Sequence, residues 1–170
     1  GMEKGLIEYI PESLVQAFLD RVYSLRVNKD AHSDLHVVYS PLNGSGNRCV
    51  RSILDRMGVK TTVVPEQEKP DGNFPTCPYP NPEIREALQK GLELLEETKG
   101  DILIATDPDA DRLGMGVFHN GEYVLLNGNQ SATIMVDYIC SQLKAKGELP
   151  ENGWVYSTNV SGSLPSIKKL

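Results

Sequence analysis

The chain has 170 residues, enough for one domain with a proper core. A composition with 39% hydrophobic and 24% charged residues is that of an ordinary globular protein. The net charge of −6, with no basic cluster to override it, argues against nucleic acid as a partner. No apolar run approaches membrane-spanning length and no signal peptide is visible, so no membrane partner is expected. Cys49, Cys77 and Cys140 are odd in number and widely spaced, without a metal pattern or a disulfide framework. A reducing cytoplasm is the expected location. Gly1 ahead of Met2 reads as the scar of a removed tag.

From Pro11 to Val27, Leu14, Val15, Phe18, Leu19, Val22 and Leu25 recur at helical spacing. Pro11 and Ser13 suit the start of that helix. Lys29 to Asp34 is polar loop, and Leu35 to Tyr39 is a short β-branched and aromatic strand. Ser40-Pro-Leu-Asn-Gly-Ser-Gly-Asn47 follows, a glycine-rich loop feeding a helix that carries Cys49, Val50, Ile53, Leu54 and Met57. Gly58 closes this helix. Such a loop either presents backbone N–H groups to a phosphate or is a tight turn that needs glycine. Asn43, Gly44, Ser45 and Gly46 are therefore candidate site residues.

Thr61 to Val64 reads as a second strand, and Glu66 to Pro80 as a proline-rich loop without periodicity. Asn81 suits an N-cap, Pro82 a first helical residue and Glu83 a first turn, so a helix is expected from there to about Thr98. Ile102 to Ala105 is an unbroken apolar run and reads as a strand buried on both faces. Pro108 cannot donate to a ladder, so this strand stops near Thr106 or Asp107. Leu113 to Phe118 and Tyr123 to Leu126 are strands joined by a turn around Asn120-Gly121, a strong hairpin signal. Asn127-Gly-Asn-Gln130 opens a helix carrying Ile134, Met135, Tyr138, Ile139 and Leu143, ended by Gly147. Trp154 to Asn159 reads as one more strand, and Leu164 to Leu170 as the start of a helix. An isolated strand seeks an edge. Residues 153–170 are therefore expected to be poorly ordered or to pair with their own sheet or a neighbouring chain.

The fold class implied is α/β, a mixed and mostly parallel sheet sandwiched by helices. The expected domain division is a linker helix over 1–34, an α/β domain over 35–126, and the incomplete opening of a further α/β unit over 127–170. The whole reads as a piece of a larger protein.

Asp107, Asp109 and Asp111 stand at every second position directly after the apolar strand, with Arg112 next. In open α/β sheets ligands bind outside the carboxyl ends of strands. Three carboxylates gathered there repel one another unless a cation sits among them, and an all-oxygen set suits magnesium or calcium. An EF-hand would need Gly and Glu where Arg112 and Phe118 stand, and a helix where a strand precedes. A haloacid-dehalogenase-type phosphatase would need Thr or Val where Asp111 stands.

Asp107-Pro-Asp-Ala-Asp-Arg112 resembles the magnesium loop of the α-D-phosphohexomutases, the phosphoglucomutase and phosphomannomutase superfamily. Pro41 to Gly46 resembles the Pro-Leu-His-Gly-Thr-Gly segment of the phosphoglucomutase branch, with Asn43 where His is more usual. Asp71-Gly-Asn-Phe-Pro75 and Pro80-Asn-Pro-Glu83 are similar to other segments of these enzymes. Asn127-Gly-Asn-Gln130 leans toward the phosphoglucomutase and phosphopentomutase branch. The resemblance covers nearly the whole chain and matches the second of four domains plus the start of the third.

That resemblance implies a magnesium-dependent interconversion of sugar 1-phosphate and 6-phosphate through a phosphoserine. It implies Mg2+ as cofactor, held by Asp107, Asp109 and Asp111, with Arg112 placed to meet phosphate oxygens. The implied partner is a phosphosugar bound together with other domains. The phosphoserine segment, normally Thr-Ala-Ser-His-Asn-Pro, does not occur in this sequence. This chain is therefore expected to be inactive alone. Two other classes remain: a phosphatase with Asp107 as nucleophile, and a non-catalytic metal-binding or interaction module.

Overall fold

A computed structural model describes residues 1–156 and 167–169. The first helix, α1 (Glu12–Ser24), starts after Pro11 and packs on α2 (Asn47–Arg56). The Tyr23 hydroxyl donates to the Arg56 carbonyl at 3.1 Å, and Arg56 pairs with Asp20 at 2.8 Å. The strands β1 (His36–Ser40), β2 (Lys60–Val63), β3 (Ile102–Thr106), β4 (Leu113–His119) and β5 (Glu122–Leu126) form one sheet in the order β2-β1-β3-β4-β5. β1 runs parallel to both β2 and β3, β4 is antiparallel to β3, and β5 is antiparallel to β4. Four of the five strands therefore point one way, and the mixed α/β class expected from the sequence holds.

The strand covered on both faces is β1, all five of whose residues are buried. β3 alternates instead: Leu103 and Ala105 are fully buried while Ile102 and Ile104 are only half-buried. Burial along β3 follows its neighbours. Helix α3 (Gln89–Thr98) lies across β1 and β3, and its Leu92 and Leu95 join Leu88, Val38, Val64, Leu103 and Ala105 in the main core. On the other face α2 lies over β2, with its first turn against Tyr39. An unbroken apolar run thus marks an interior strand without requiring equal cover on its two sides.

Two expectations change in the middle of the chain. The helix expected from Asn81 begins later. Asn81 Oδ1 accepts from the Glu83 amide at 3.0 Å, but Ile84 is extended (φ −95°, ψ 124°). A 3-10 turn over Arg85–Leu88 then leads into α3. The reason lies in β4. Pro82 is fully buried, and a Cβ on Gly114 would lie 2.3 Å from the Pro82 carbonyl oxygen. The Asn-Pro-Glu turn is held against the sheet, so the chain must straighten before it can wind. The proline-rich loop also carries buried anchors. Gln67 is fully buried, accepts from Ser40 Oγ at 2.6 Å and donates to Thr76 Oγ1 at 3.1 Å. Cys77 joins Leu42 and Ala87 in a second, smaller core cluster.

The hairpin forms as the sequence implies, with Asn120 (φ 51°) and Gly121 (φ 90°) both left-handed. Helix α4 (Gly128–Ala145) starts with a full capping box: the Asn127 side chain accepts from the Gln130 amide, and Gln130 Oε1 accepts from the Asn127 amide. α4 packs on β4 and β5, and Asn28 donates to its Gln142 Oε1 at 2.9 Å. Beyond it, β6 (Trp154–Tyr156) pairs antiparallel with β7 (Ile167–Lys169) in a separate two-stranded sheet. The helix expected from Leu164 is thus a strand over 167–169. One turn of helix nucleates poorly, whereas an unpaired strand gains backbone bonds from the nearest extended segment. The rest of the two tail expectations falls on residues 157–166 and 170, outside the described residues. Among the described residues no helix is long and apolar enough to cross a membrane.

Burial separates the three thiols. Cys77 is buried and its thiol is pushed above its ordinary pKa by that burial, while Cys49 and Cys140 are half-buried. At pH 8, a thiol reagent will modify Cys49 and Cys140 well before Cys77, and all three together once denaturant is added. Mass spectrometry of the tryptic peptides over time checks this; Cys77 reacting first would show that the loop does not shield it.

Candidate metal centre

β1 and β3 are adjacent and parallel, with Ser40 opposite Ala105. The loops leaving their carboxyl ends must therefore emerge side by side. These are the glycine-rich loop after Ser40 and the acidic loop after Thr106. One oxygen from each of Asp107, Asp109 and Asp111 lies within 4.8 Å of the others. Asp107 is nearly buried (7% exposed), while Asp109 and Asp111 are exposed.

The loop is fixed by its own backbone. The Arg112 amide donates to Asp107 Oδ1 at 2.9 Å, and the Ala110 amide donates to the Asp107 carbonyl at 3.0 Å. Ala110 takes a left-handed conformation (φ 62°), rare for a residue with a Cβ and of the kind found at functional sites. The Arg112 side chain folds back so that Nε stands 3.9 Å from both Asp107 Oδ2 and Asp111 Oδ1. That single cation does not balance three carboxylates. The Asp111 carboxyl is pushed above its ordinary range by a hydrogen bond with Asp107 and by the charges of Asp109 and Asp107, with Arg112 working against them. Three carboxylate oxygens gathered within 4.8 Å, with more negative charge than Arg112 offsets, are chemically suited to a hard divalent cation. The donor set therefore fits magnesium.

The glycine-rich loop comes to the same place and packs against the acidic loop. The Asn43 amide donates to the Gln67 carbonyl at 2.9 Å, the Gly44 amide to the Pro41 carbonyl at 2.8 Å and the Ser45 amide to the Pro108 carbonyl at 2.8 Å. Those three N–H groups are committed within the protein. Asn43 is buried and left-handed (φ 56°), and its Nδ2 donates to the carbonyls of Glu66 at 3.2 Å and Lys69 at 2.8 Å. This ties the loop to the proline-rich segment. Gly44 is needed because a Cβ there would lie 2.3 Å from Pro108 Cα.

Sequence reasoning missed the supports beneath the acidic loop. Tyr39 is fully buried and its hydroxyl shares a 2.9 Å hydrogen bond with Thr106 Oγ1. The Pro108 carbonyl receives both Ser45 donors, its amide at 2.8 Å and its Oγ at 3.0 Å. The available signal was topological: a glycine-rich loop and an acidic loop after two neighbouring parallel strands must touch. A cleft of about 460 Å³ beside Ser45 is lined by Asn47, Arg48 and Arg51. Both arginines are already paired, Arg48 with Glu12 and Arg51 with Glu68.

The fold and site together define a mixed α/β domain with a cluster of carboxylates at the carboxyl end of its third strand. Residues 16–120, more than half of the chain, match the phosphoglucomutase/phosphomannomutase α/β/α domain II. The chain belongs to that family. It is 34% identical over 137 residues to a phosphoglucomutase of Staphylococcus saprophyticus, covering 79% of this chain and 25% of that one. It is 29% identical over 165 residues to a phosphomannomutase of Mycoplasmoides pirum, covering 95% and 30%. A phosphoglucomutase/phosphomannomutase family protein of Burkholderia thailandensis shares the fold, with TM-score 0.63, 21% identity, and 76% and 26% of the two chains covered. The chain thus spans about a quarter to a third of the length of these relatives.

Proposed function

We propose that this chain is the metal-binding part of a magnesium-dependent phosphohexomutase, an isomerase that moves phosphate between the 1 and 6 positions of a hexose or the 1 and 5 positions of a pentose. The observation that carries the reading is the convergence of Asp107, Asp109 and Asp111 within 4.8 Å at the end of β3, in a chain of this family. These three carboxylates would hold the cation. When bound, magnesium supplies Lewis acidity that offsets charge on a transferring phosphoryl group. Arg112, half-exposed beside the cluster, offers a planar fork of donors to phosphate oxygens. β3 and the Arg112 amide hold Asp107 in place, so one of the three carboxylates is oriented before any ligand arrives.

The remaining chemistry belongs to other parts of the polypeptide. No Thr-Ala-Ser-His-Asn-Pro segment occurs among these 170 residues. Ile134, Met135, Tyr138 and Ile139 leave an apolar stripe of α4 exposed, which fits contact with further domains. The phosphosugar partner would bind between this domain and those. The domain division at 34 and 126 belongs to the same reading, as does a cytoplasmic location. The sugar is glucose or a related hexose or pentose, with the Asn127 segment favouring the phosphoglucomutase and phosphopentomutase branch.

A coupled assay for conversion of glucose 1-phosphate to glucose 6-phosphate tests the proposal, with magnesium and glucose 1,6-bisphosphate supplied. No turnover above the blank is expected from this chain alone, and turnover is expected from the polypeptide of the parent reading frame. Turnover by the 170-residue chain, or none by the parent with any hexose or pentose phosphate, would overturn it.

A further inference from the structure

Thr106, Pro108 and Ala110 alternate with the three aspartates, and the Gly44-Ser45-Gly46 turn meets all three of them. A Cβ on Gly44 would lie 2.3 Å from Pro108 Cα and 2.6 Å from Pro108 O. A Cβ on Gly46 would lie 2.8 Å from Thr106 Oγ1, 2.9 Å from the Tyr39 hydroxyl and 3.2 Å from Ala110 Cβ. Between these glycines, Ser45 donates twice to the Pro108 carbonyl, from its amide at 2.8 Å and its hydroxyl at 3.0 Å. The residues between the carboxylates therefore rest on this turn, while the carboxylates gather into one cluster.

We propose that Gly44, Ser45 and Gly46 form a positioning clamp that sets the spacing of Asp107, Asp109 and Asp111 and so favours magnesium over the larger calcium ion. The proposal rests on the reading of the acidic loop as a magnesium site. Pro108 joins Asp107 to Asp109, so any movement of its backbone moves one carboxylate relative to the other. The clamp prevents that movement in two ways: backbone seated against backbone at Gly44, and a carbonyl pinned by two donors at Ser45. The turn itself is held from behind, through Asn43 Nδ2 on the Glu66 and Lys69 carbonyls. Magnesium demands near-ideal octahedral geometry at short distances, whereas calcium accepts irregular and wider oxygen sets. A loosened clamp should therefore cost magnesium affinity more than calcium affinity. A residue that merely stabilises the fold would not change that ratio.

The test is calorimetric titration of this chain with Mg2+ and with Ca2+, using Gly44→Ala, Ser45→Ala and Ser45→Thr. Gly72→Ala, where a Cβ meets nothing within 4 Å, is the control. Thermal melting and near-ultraviolet circular dichroism establish that each variant is folded. Gly44→Ala is expected to lower magnesium affinity by at least ~10-fold and calcium affinity by no more than ~3-fold. Ser45→Ala, which drops one of two donors, is expected to lower magnesium affinity by about 5-fold. Ser45→Thr keeps the hydroxyl and should restore the unmodified value. If Gly44→Ala does not fold, the Ser45 pair decides alone. A folded Ser45→Ala or Gly44→Ala protein with an unchanged Mg2+ to Ca2+ affinity ratio would overturn the clamp. Asp109→Asn, titrated alongside, separates the two ideas. If it binds magnesium as well as the unmodified chain, the metal-site reading fails and the clamp fails with it. If it abolishes binding while the clamp variants keep their ratio, the clamp alone is refuted.

Discussion

Leu103→Ala will lower the free energy of unfolding by about 3–5 kcal/mol and the melting temperature by on the order of 10 °C. Leu103 is fully buried at the centre of β3, among Leu88, Leu92, Leu95 and Val38. Its neighbours cannot close over the space it leaves. A Cβ placed on Gly91 would already lie 2.6 Å from Leu103 Cδ1, so α3 approaches the strand with its backbone at that point. Removing the side chain leaves a cavity beneath rigid elements, which is the expensive case. Total stabilities of small domains are only ~5–15 kcal/mol, so the change is a large share of the whole. Urea unfolding followed by circular dichroism measures it. A loss below ~1 kcal/mol would mean that β3 is not the packed centre of the domain. Ile104→Ala, on the half-buried side of the same strand, should cost distinctly less.

Asp107→Asn will lower magnesium affinity by at least ~100-fold, because even partners one layer outside a metal typically contribute ~10–100-fold. Asp107 is the one nearly buried member of the cluster and is held by the Arg112 amide. Asn keeps an oxygen for that amide, so the fold survives while one charge is removed. Without metal, the substitution relieves repulsion among three crowded carboxylates. The Asp111 carboxyl, held up by its hydrogen bond with Asp107 and by neighbouring charge, should then titrate nearer its ordinary range. Carbon-detected NMR of the Asp111 carboxyl over pH gives this directly. A metal-free variant markedly less stable than the parent would show that the Asp107 charge chiefly holds the loop, through Arg112.

What the sequence made legible was local. The apolar run before Pro108, the alternating aspartates, the Asn120-Gly121 turn, the Asn127 cap and Gly58 after α2 each declare themselves within a few residues. Gly58 is left-handed (φ 71°), as a helix-closing glycine should be. What stayed hidden depends on contacts distant in the chain. The late start of α3 is set by Pro82 lying on Gly114, about thirty residues away. The unequal cover of β3 depends on where α2 and α3 lie. The pairing of Trp154 with Lys169 was hidden because a short β-branched segment carries no information about its partner. At the site, the clustering of the three aspartates beside Arg112 was readable from their spacing. The packing of Asn43 to Gly46 against the acidic loop was not, because a glycine that admits a phosphate and a glycine that admits another loop look alike in sequence.

Magnesium titration by calorimetry, on the unmodified chain and on Asp109→Asn, decides whether the acidic loop is the cation site. Asp107, Asp109 and Asp111 would supply three oxygens of the six that magnesium takes, and exposed Asp109 and Asp111 would act in a high dielectric. A single saturable site is expected, weaker than micromolar, that disappears in Asp109→Asn. Magnesium affinity unchanged by Asp109→Asn would contradict it, because the acidic loop would then not be the site. Sub-micromolar binding by the unmodified chain would also contradict it, since ligands beyond the three carboxylates would have to be present in this domain.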